Sequence, residues 1–372
     1  LPSPWGPERF VYTGCMRSDE RSGYEEGELS DCSLAGKLQR ALDGRAVQVQ
    51  PWDPTRFRPR QVLQLAPRNR GHVELLEDLQ SQRLVVAKVM PISWTRTSHI
   101  EFVAAHPAET EMPWRDVCVT RYLSEELGNL HVCELVGLFR RPLAGSEGLG
   151  CGRAREEPGA EHLCMVMSHA GNDLFSWLGR TTARGREESA RPMALQIFKI
   201  TQKIHSCGVG HGDLSLENML LASEEGALRF IDFGAATGRL ARGLRGKSTF
   251  RAPEMYASSS YDAFLADIFS TGVAIFTLIV GNYPWKSTSP HSCQLFGYFK
   301  EHGLMAYLAR RRFGRTCALD AGRRIRTRSQ EVLPLSSVIS PQLSSLLTGL
   351  LQVDPASRMS LQDALGHEWF HI

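Results

Sequence analysis

The chain has 372 residues, 42% of them hydrophobic and 22% charged, which is long enough for two lobes with a sizeable core and has the composition of an ordinary soluble globular protein. Its net charge of +3, with the basic residues scattered, gives no reason to expect a nucleic acid or a membrane surface as partner. Nine cysteines form no C-x-x-C pair and no metal-ligand spacing with His, which favours a reducing compartment; Cys118, Cys164 and Cys207 read as buried thiols, and a disulfide among Cys15, Cys32 and Cys151 is the alternative.

In chain order, the sequence starts Leu1-Pro-Ser-Pro without an initiator Met, as a fragment would, so any targeting segment is expected to lie outside it. Residues 1–51 mix Gly, Pro, Ser and acidic pairs, with one short helix expected from Leu34 to Leu42 behind Ser33. They read as an extension lying on the domain that follows. Three strands are expected next, Val62 to Leu65, Gly71 to Leu76 and Leu84 to Val89. Lys88 stands at the end of the third. Only seven of the 43 basic residues are Lys, so a Lys inside Val85-Val-Ala-Lys-Val89 is not a casual surface choice. A charge among buried β-branched residues needs a partner, which a phosphate together with a carboxylate would supply; the plain alternative is an edge-strand lysine that discourages aggregation.

The spacing of Val119, Tyr122, Leu123 and Leu127 predicts a helix over 114–127. Residues 143–160 are Gly-rich and charged and read as a surface insertion between two strands, the second being the buried run Leu163 to Met167. A helix is predicted from Pro192 to Cys207, with Ala194, Ile197, Ile200 and Ile204 on one face. It delivers the chain to His211-Gly-Asp-Leu-Ser-Leu-Glu-Asn218, and Asp232-Phe-Gly234 follows at close range. Both lie in loops beside short apolar runs, Met219 to Leu221 and Leu228 to Ile231. Two strand ends can therefore hold Asp213, Asn218 and Asp232 around one point, and three such oxygens suit a magnesium-bound phosphate. Downstream come Arg251-Ala-Pro-Glu254, Asp267-Ile-Phe-Ser-Thr-Gly272 and Asp354-Pro-Ala-Ser-Arg358. The longest apolar run, Phe269 to Gly281, is too short to cross a bilayer and reads as a buried central helix. Arg310 to Arg328 is the one basic cluster, read as a solvated face.

A lone H-x-D-x-x-x-x-N carries little weight, because Asp and Asn are common turn residues. Five such motifs in this order resemble the C-lobe of eukaryotic protein kinases. That resemblance implies an α+β, bilobal protein kinase fold, with a β-rich N-lobe over 52–167, a mostly helical C-lobe over 168–372 and the N-terminal extension. It implies ATP with Mg2+ or Mn2+, a monomer, a protein substrate and transfer of the γ-phosphate to Ser/Thr hydroxyls, with no integral membrane segment. Asp213 would orient the attacking hydroxyl and Asn218 and Asp232 would hold the metal. Lys88 would take the phosphates, paired with Asp116 where the family usually has Glu, or with Glu111 in its place. Gly71, Val73, Met167 as gatekeeper, Ala170 against adenine and Asp173 near the ribose would complete the nucleotide contacts. Glu254 and Arg358 would form a buried pair, and Asp267 would bond the catalytic-loop backbone.

The departures from the family pattern are specific. Where three glycines usually cover the phosphates, the chain reads Leu65-Ala-Pro-Arg-Asn-Arg-Gly71, so only the third remains. Ala66 and Arg68 carry a Cβ and Pro67 lacks an amide, which weakens backbone cradling and leaves Arg68 or Arg70 to compensate. Gly212 replaces the usual Arg, so an activation-loop phosphate would lack its usual partner. Ser215 replaces a Lys, while Lys247 stands where a hydroxyl is usual, a swap that would send Lys247 to the transferred phosphate and let Ser215 bond Asp213.

Further features narrow the resemblance: Trp52-Asp-Pro-Thr-Arg-Phe57, Lys88-Val-Met-Pro91 with Trp94, Gly171-Asn-Asp-Leu-Phe175 and Gly246-Lys247. With the missing glycines they resemble the FIKK kinases of apicomplexan parasites over residues 52–372. That implies a Ser/Thr-directed kinase working inside the parasite or exported to its host. The name-giving motif departs, reading Val85-Val-Ala-Lys88 here. Two other readings stand beside this one: a pseudokinase scaffold, favoured by the lost glycines, and a small-molecule kinase, opposed by the Ala-Pro-Glu segment and its Arg partner.

Overall fold

The computed structural model describes residues 47–142, 160–178, 185–222, 226–313 and 333–371. The expected helix at 34–42, the insertion at 143–159, Cys15, Cys32 and Cys151, and most of the basic cluster lie outside them. The chain divides into two compact units, one ending at His169 and the other starting at Ala170.

The first unit is built on a six-stranded sheet in the order β1-β5-β6-β4-β3-β2. Its strands are β1 (Val49–Pro51), β2 (Phe57–Ala66), β3 (Gly71–Asp78), β4 (Arg83–Pro91), β5 (Leu135–Pro142) and β6 (Glu161–Ser168). β1 pairs parallel to β5, so the expected extension at 1–51 gives its last three residues to the sheet; Val49 and Gln50 face Leu138 and Phe139. The other strands expected of this unit form around the runs expected for them, β2, β4 and β6 longer at both ends and β3 at its C-terminal end. Strand alternation sorts the side chains of β4. Val85, Ala87 and Val89 join Phe57, Leu76, Phe139, Cys164 and Val166 in one buried cluster, with Trp52 packed against it. Trp52 lies 4.8 Å from Phe57 and 6.0 Å from Phe139, and Phe57 meets Phe139 edge-on at 5.1 Å. Lys88 therefore stands on the opposite face, level with Val73 on β3 and Met165 on β6.

Helix α1 (Pro113–Leu127) packs beside this sheet through Trp114, Val117, Tyr122 and Leu123, all buried. Pro113 begins it, where a missing N–H costs nothing. The indole of Trp114 donates to the Thr95 carbonyl at 2.8 Å and so anchors the first turn. Cys164 and Cys207 are buried as expected, whereas Cys118 on α1 is only partly so.

In the second unit, helix α2 (Arg186–Ser206) begins six residues before the expected Pro192. Ala190 is fully buried and Arg186 reaches the Ile279 carbonyl at 3.4 Å, so tertiary contacts hold the early turns although Pro192 removes one helical donor. Helix α3 (Ala263–Val280) is capped by Asp262, which accepts from the amides of Phe264 and Leu265, and it ends at Gly281 with φ of +75°. It starts six residues before the expected apolar run, and its 18 residues with a mean hydropathy of 2.1 would be long enough to cross a membrane. That corrects the expectation of too short a run. Yet 89% of it is buried within the protein, the setting of a core helix. Phe198 and Trp285 are buried in the core.

Candidate functional site

Each unit holds its own set of the residues singled out. In the first, the Lys88 ammonium meets Asp116 Oδ2 at 2.8 Å, with both residues buried. Asp116 sits in the first turn of α1, where the helix dipole favours a carboxylate, and Thr120 Oγ1 donates to its other oxygen at 3.4 Å. Glu111, the other candidate, accepts from Arg68 Nε at 2.8 Å instead. Arg68 also reaches Glu109 at 3.5 Å.

Gly71 follows the turn Pro67–Arg70, which Arg70 N closes onto the Pro67 carbonyl at 3.1 Å. A Cβ at Gly71 would stand 1.8 Å from the Val89 carbonyl, so the bare backbone there serves the close approach of β3 to β4. Val73 is opposite Lys88, and Met167, nearly buried, is opposite Val86.

In the second unit, Ala170 is buried and Asp173 accepts from the Ser176 amide and hydroxyl at 2.7 and 2.9 Å, capping the short helix Leu174–Leu178. The catalytic-type loop hangs from Asp267, a fully buried carboxylate on α3. It accepts from His211 N at 2.7 Å, Gly212 N at 3.0 Å and His205 Nε2 at 2.9 Å. Short strands Met219–Leu221 and Leu228–Phe230 pair antiparallel on its far side. The amide of Ile231 donates to the Asn218 carbonyl at 3.1 Å, which brings Asp232 beside Asn218.

Asp213 is held from two directions. Lys247 N donates to its Oδ1 at 2.9 Å, while Asn218 Nδ2 donates to its carbonyl at 2.8 Å and to Oδ2 at 3.3 Å. With its NH2 so used, the Asn218 amide oxygen is the end left for a cation. Burial raises the Asp213 pKa above the ordinary carboxylate value, the Asp232 charge adds to the rise, and Lys247 and His211 oppose it. Asp232 itself takes left-handed backbone at φ of +65°, a strain that non-Gly residues carry chiefly at functional positions. Two neighbouring carboxylates plus an amide oxygen are a fitting hard-oxygen set for Mg2+, which is commonly held by one or two carboxylates and substrate phosphates.

Two glycines make this packing feasible. Gly212 (φ +76°) would put a Cβ 2.5 Å from the Ala235 carbonyl, and Gly246 (φ +69°) would put one 2.5 Å from the Gly212 carbonyl and 2.7 Å from Asp213 Oδ1. The Arg usual at the first position would be strained here. Beside them the Lys247 ammonium lies 2.7 Å from Ser215 Oγ and 3.2 Å from Glu217. Ser215 thus bonds Lys247, and its expected bond to Asp213 is not made. Glu217 is a site residue that the sequence reading passed over. Its neighbour Tyr283, whose pKa burial and the Glu217 carboxylate push up to about 12, was missed as well, and no local pattern marks a tyrosine so far along the chain. Further off, Arg358 holds Glu254 through bonds of 2.8 and 3.1 Å.

A model of the protein kinase domain family matches residues 115–370. Among curated proteins, the serine/threonine-protein kinase SRK2A of Physcomitrium patens is 29% identical over 215 residues, covering 56% of this chain and 54% of that protein. Serine/threonine-protein kinase SRK2C of Arabidopsis thaliana is 28% identical over 219 residues, with shares of 57% and 56%. Serine/threonine-protein kinase SAPK9 of Oryza sativa subsp. japonica is 29% identical over 217 residues, with shares of 56% and 52%. The chain spans about half the length of the curated relatives it matches.

Proposed function

Because the chain belongs to the protein kinase domain family, whose members use ATP and Mg2+, we propose that it transfers the γ-phosphate of ATP to Ser or Thr hydroxyls of a protein substrate. The observation that carries this reading is Asp213, fixed by Asn218 and the Lys247 amide beside Asp232. Bound Mg2+ supplies charge neutralisation on the phosphates, and Asn218 and Asp232 would hold it. Asp213, with its pKa raised toward that of a useful base, orients the attacking hydroxyl and takes its proton. Lys88, buried and set by Asp116, takes nucleotide phosphate oxygens. Lys247 leaves Ser215 to follow the transferred phosphate, a step for which its flexible, half-exposed side chain is suited. Met167, Val73, Ala170 and Asp173 keep their proposed nucleotide roles, and Gly71 joins them through the backbone. The proposed lobe bounds are 52–167 and 168–372, and a monomer is the proposed state.

The finer assignment we propose is a FIKK-type kinase with a degenerate glycine loop. The relatives above are plant kinases under 30% identical and do not carry it. Its support is the Trp52-to-Phe57 segment packed on Phe139 and the Gly246-Lys247 pair beside Asp213. One observation favours a pseudokinase instead: in the turn at 67–70, Pro67 has no amide and Arg68 is held by Glu111. Transfer from labelled ATP, with Mg2+ or Mn2+, compared between the wild type and Asp213→Asn, decides. Loss of label in the variant by about 10²–10⁴-fold is expected of a positioned base. A wild type that is stabilised by ATP yet transfers nothing would leave the scaffold reading.

A further inference from the structure

The turn joining β2 to β3 holds an unexplained polar side chain. From Arg58 to Arg70 every side chain is exposed or half-exposed except that of Asn69, which retains 6% of its surface at the very tip of a hairpin. Its Oδ1 is buried and meets no hydrogen-bond partner. A short amide at a turn would ordinarily face water or bond its own backbone. Folded inward without a partner, it is a costly choice unless something else completes it.

Its surroundings say what that something is. Val73 is level with Lys88, and the turn begins just beyond Gly71, roughly 7 Å further along the strand at about 3.3 Å per residue. Within the turn, Arg68 pairs with Glu111 and Glu109, Arg70 N is held by the Pro67 carbonyl, and Pro67 has no amide to offer. The two ends of an Asn amide are exchanged by a half-turn of the side chain, so the buried position of Oδ1 equally serves an NH2 donor.

On the reading that the chain binds ATP, we propose that Asn69 binds the nucleotide's phosphates through its side-chain amide, replacing the glycine backbone amides this hairpin lacks. One side chain then does locally what a flexible loop does elsewhere, and the Arg68 clamp holds the turn still while it does so.

Calorimetric titration of the full chain with MgATP and with adenosine, which has no phosphates, tests this. Asn69→Ala should weaken MgATP roughly tenfold, the worth of one charge-assisted hydrogen bond, and leave adenosine within about twofold. Asn69→Asp, which sets a carboxylate against phosphate, should weaken MgATP further and again spare adenosine. Asn69→Ser keeps a donor and should fall between wild type and Ala, which covers the case of an Asp variant that folds poorly. Equal weakening toward both ligands, or MgATP affinity unchanged in Asn69→Ala, would overturn the assignment while leaving the kinase reading intact. A wild type that binds adenosine no worse than MgATP, or binds neither, would remove the kinase reading and this proposal together.

Discussion

Two charged clusters in the second unit contain similar residue types and are built to opposite ends. Around Arg358 the account is closed: its guanidinium donates to both Glu254 oxygens and to the carbonyls of Leu265 and Gln352, its side chain has no exposed surface, and it stacks 5.2 Å from Phe269. Around Asp213 the account is left open, with Asp232 raising its pKa and a lysine that bonds a neutral hydroxyl and a half-exposed carboxylate. A closed network of that kind braces a fold; an excess of negative charge held in place by backbone geometry is poised for a cation and a phosphate.

The comparison breaks most readily at Arg358. Arg358→Ala strands Glu254 in the core and should cost about 3–5 kcal/mol, read as a lowered urea midpoint with an unchanged slope. Replacing both partners with apolar residues should recover a good part of that loss. At Gly246→Ala, the new Cβ meets the Gly212 carbonyl and Asp213 Oδ1 on left-handed backbone, so stability should fall by about 1–3 kcal/mol. Activity should fall further than the lost stability explains, because the proposed base is displaced.

Asp213 sharpens the contrast by its sign. A carboxyl whose folded pKa is raised stabilises the fold below its unfolded pKa and loses that contribution as pH rises through the folded value. At neutral pH its charge is therefore a burden, and Asp213→Asn should melt higher, by about 2–4 °C for each kcal/mol recovered. The same shift places the acid limb of kcat/KM above pH 3.8, the ordinary value of this carboxyl, and the limb should vanish with the base. The smallest effect on stability belongs to Lys247→Met. Its half-exposed side chain should leave the melting temperature nearly unchanged, yet turnover should be abolished with the affinity for ATP retained. Full turnover in that variant would end its role at the transferred phosphate.

Much of this molecule was legible in its residues. The run of buried β-branched residues around Lys88 marked β4, and the short spacing from His211 to Asp232 placed Asp213, Asn218 and Asp232 together, because a loop of a few residues between two strand ends has little freedom in where it sets them. Glu254, Arg358 and Asp267 were named from ordered motifs and stand in the contacts foreseen for them. What composition and spacing left undecided were pairings between distant segments. Asp116 rather than Glu111 holds Lys88, Glu111 holds Arg68, and Ser215 bonds Lys247 rather than Asp213. Each is a choice among partners that local sequence leaves equally available. Only the register of the sheet, the start of α1 and the close approach that Gly212 and Gly246 permit bring one of them within 3 Å, since a hydrogen bond is decided by tenths of an ångström that no local pattern encodes.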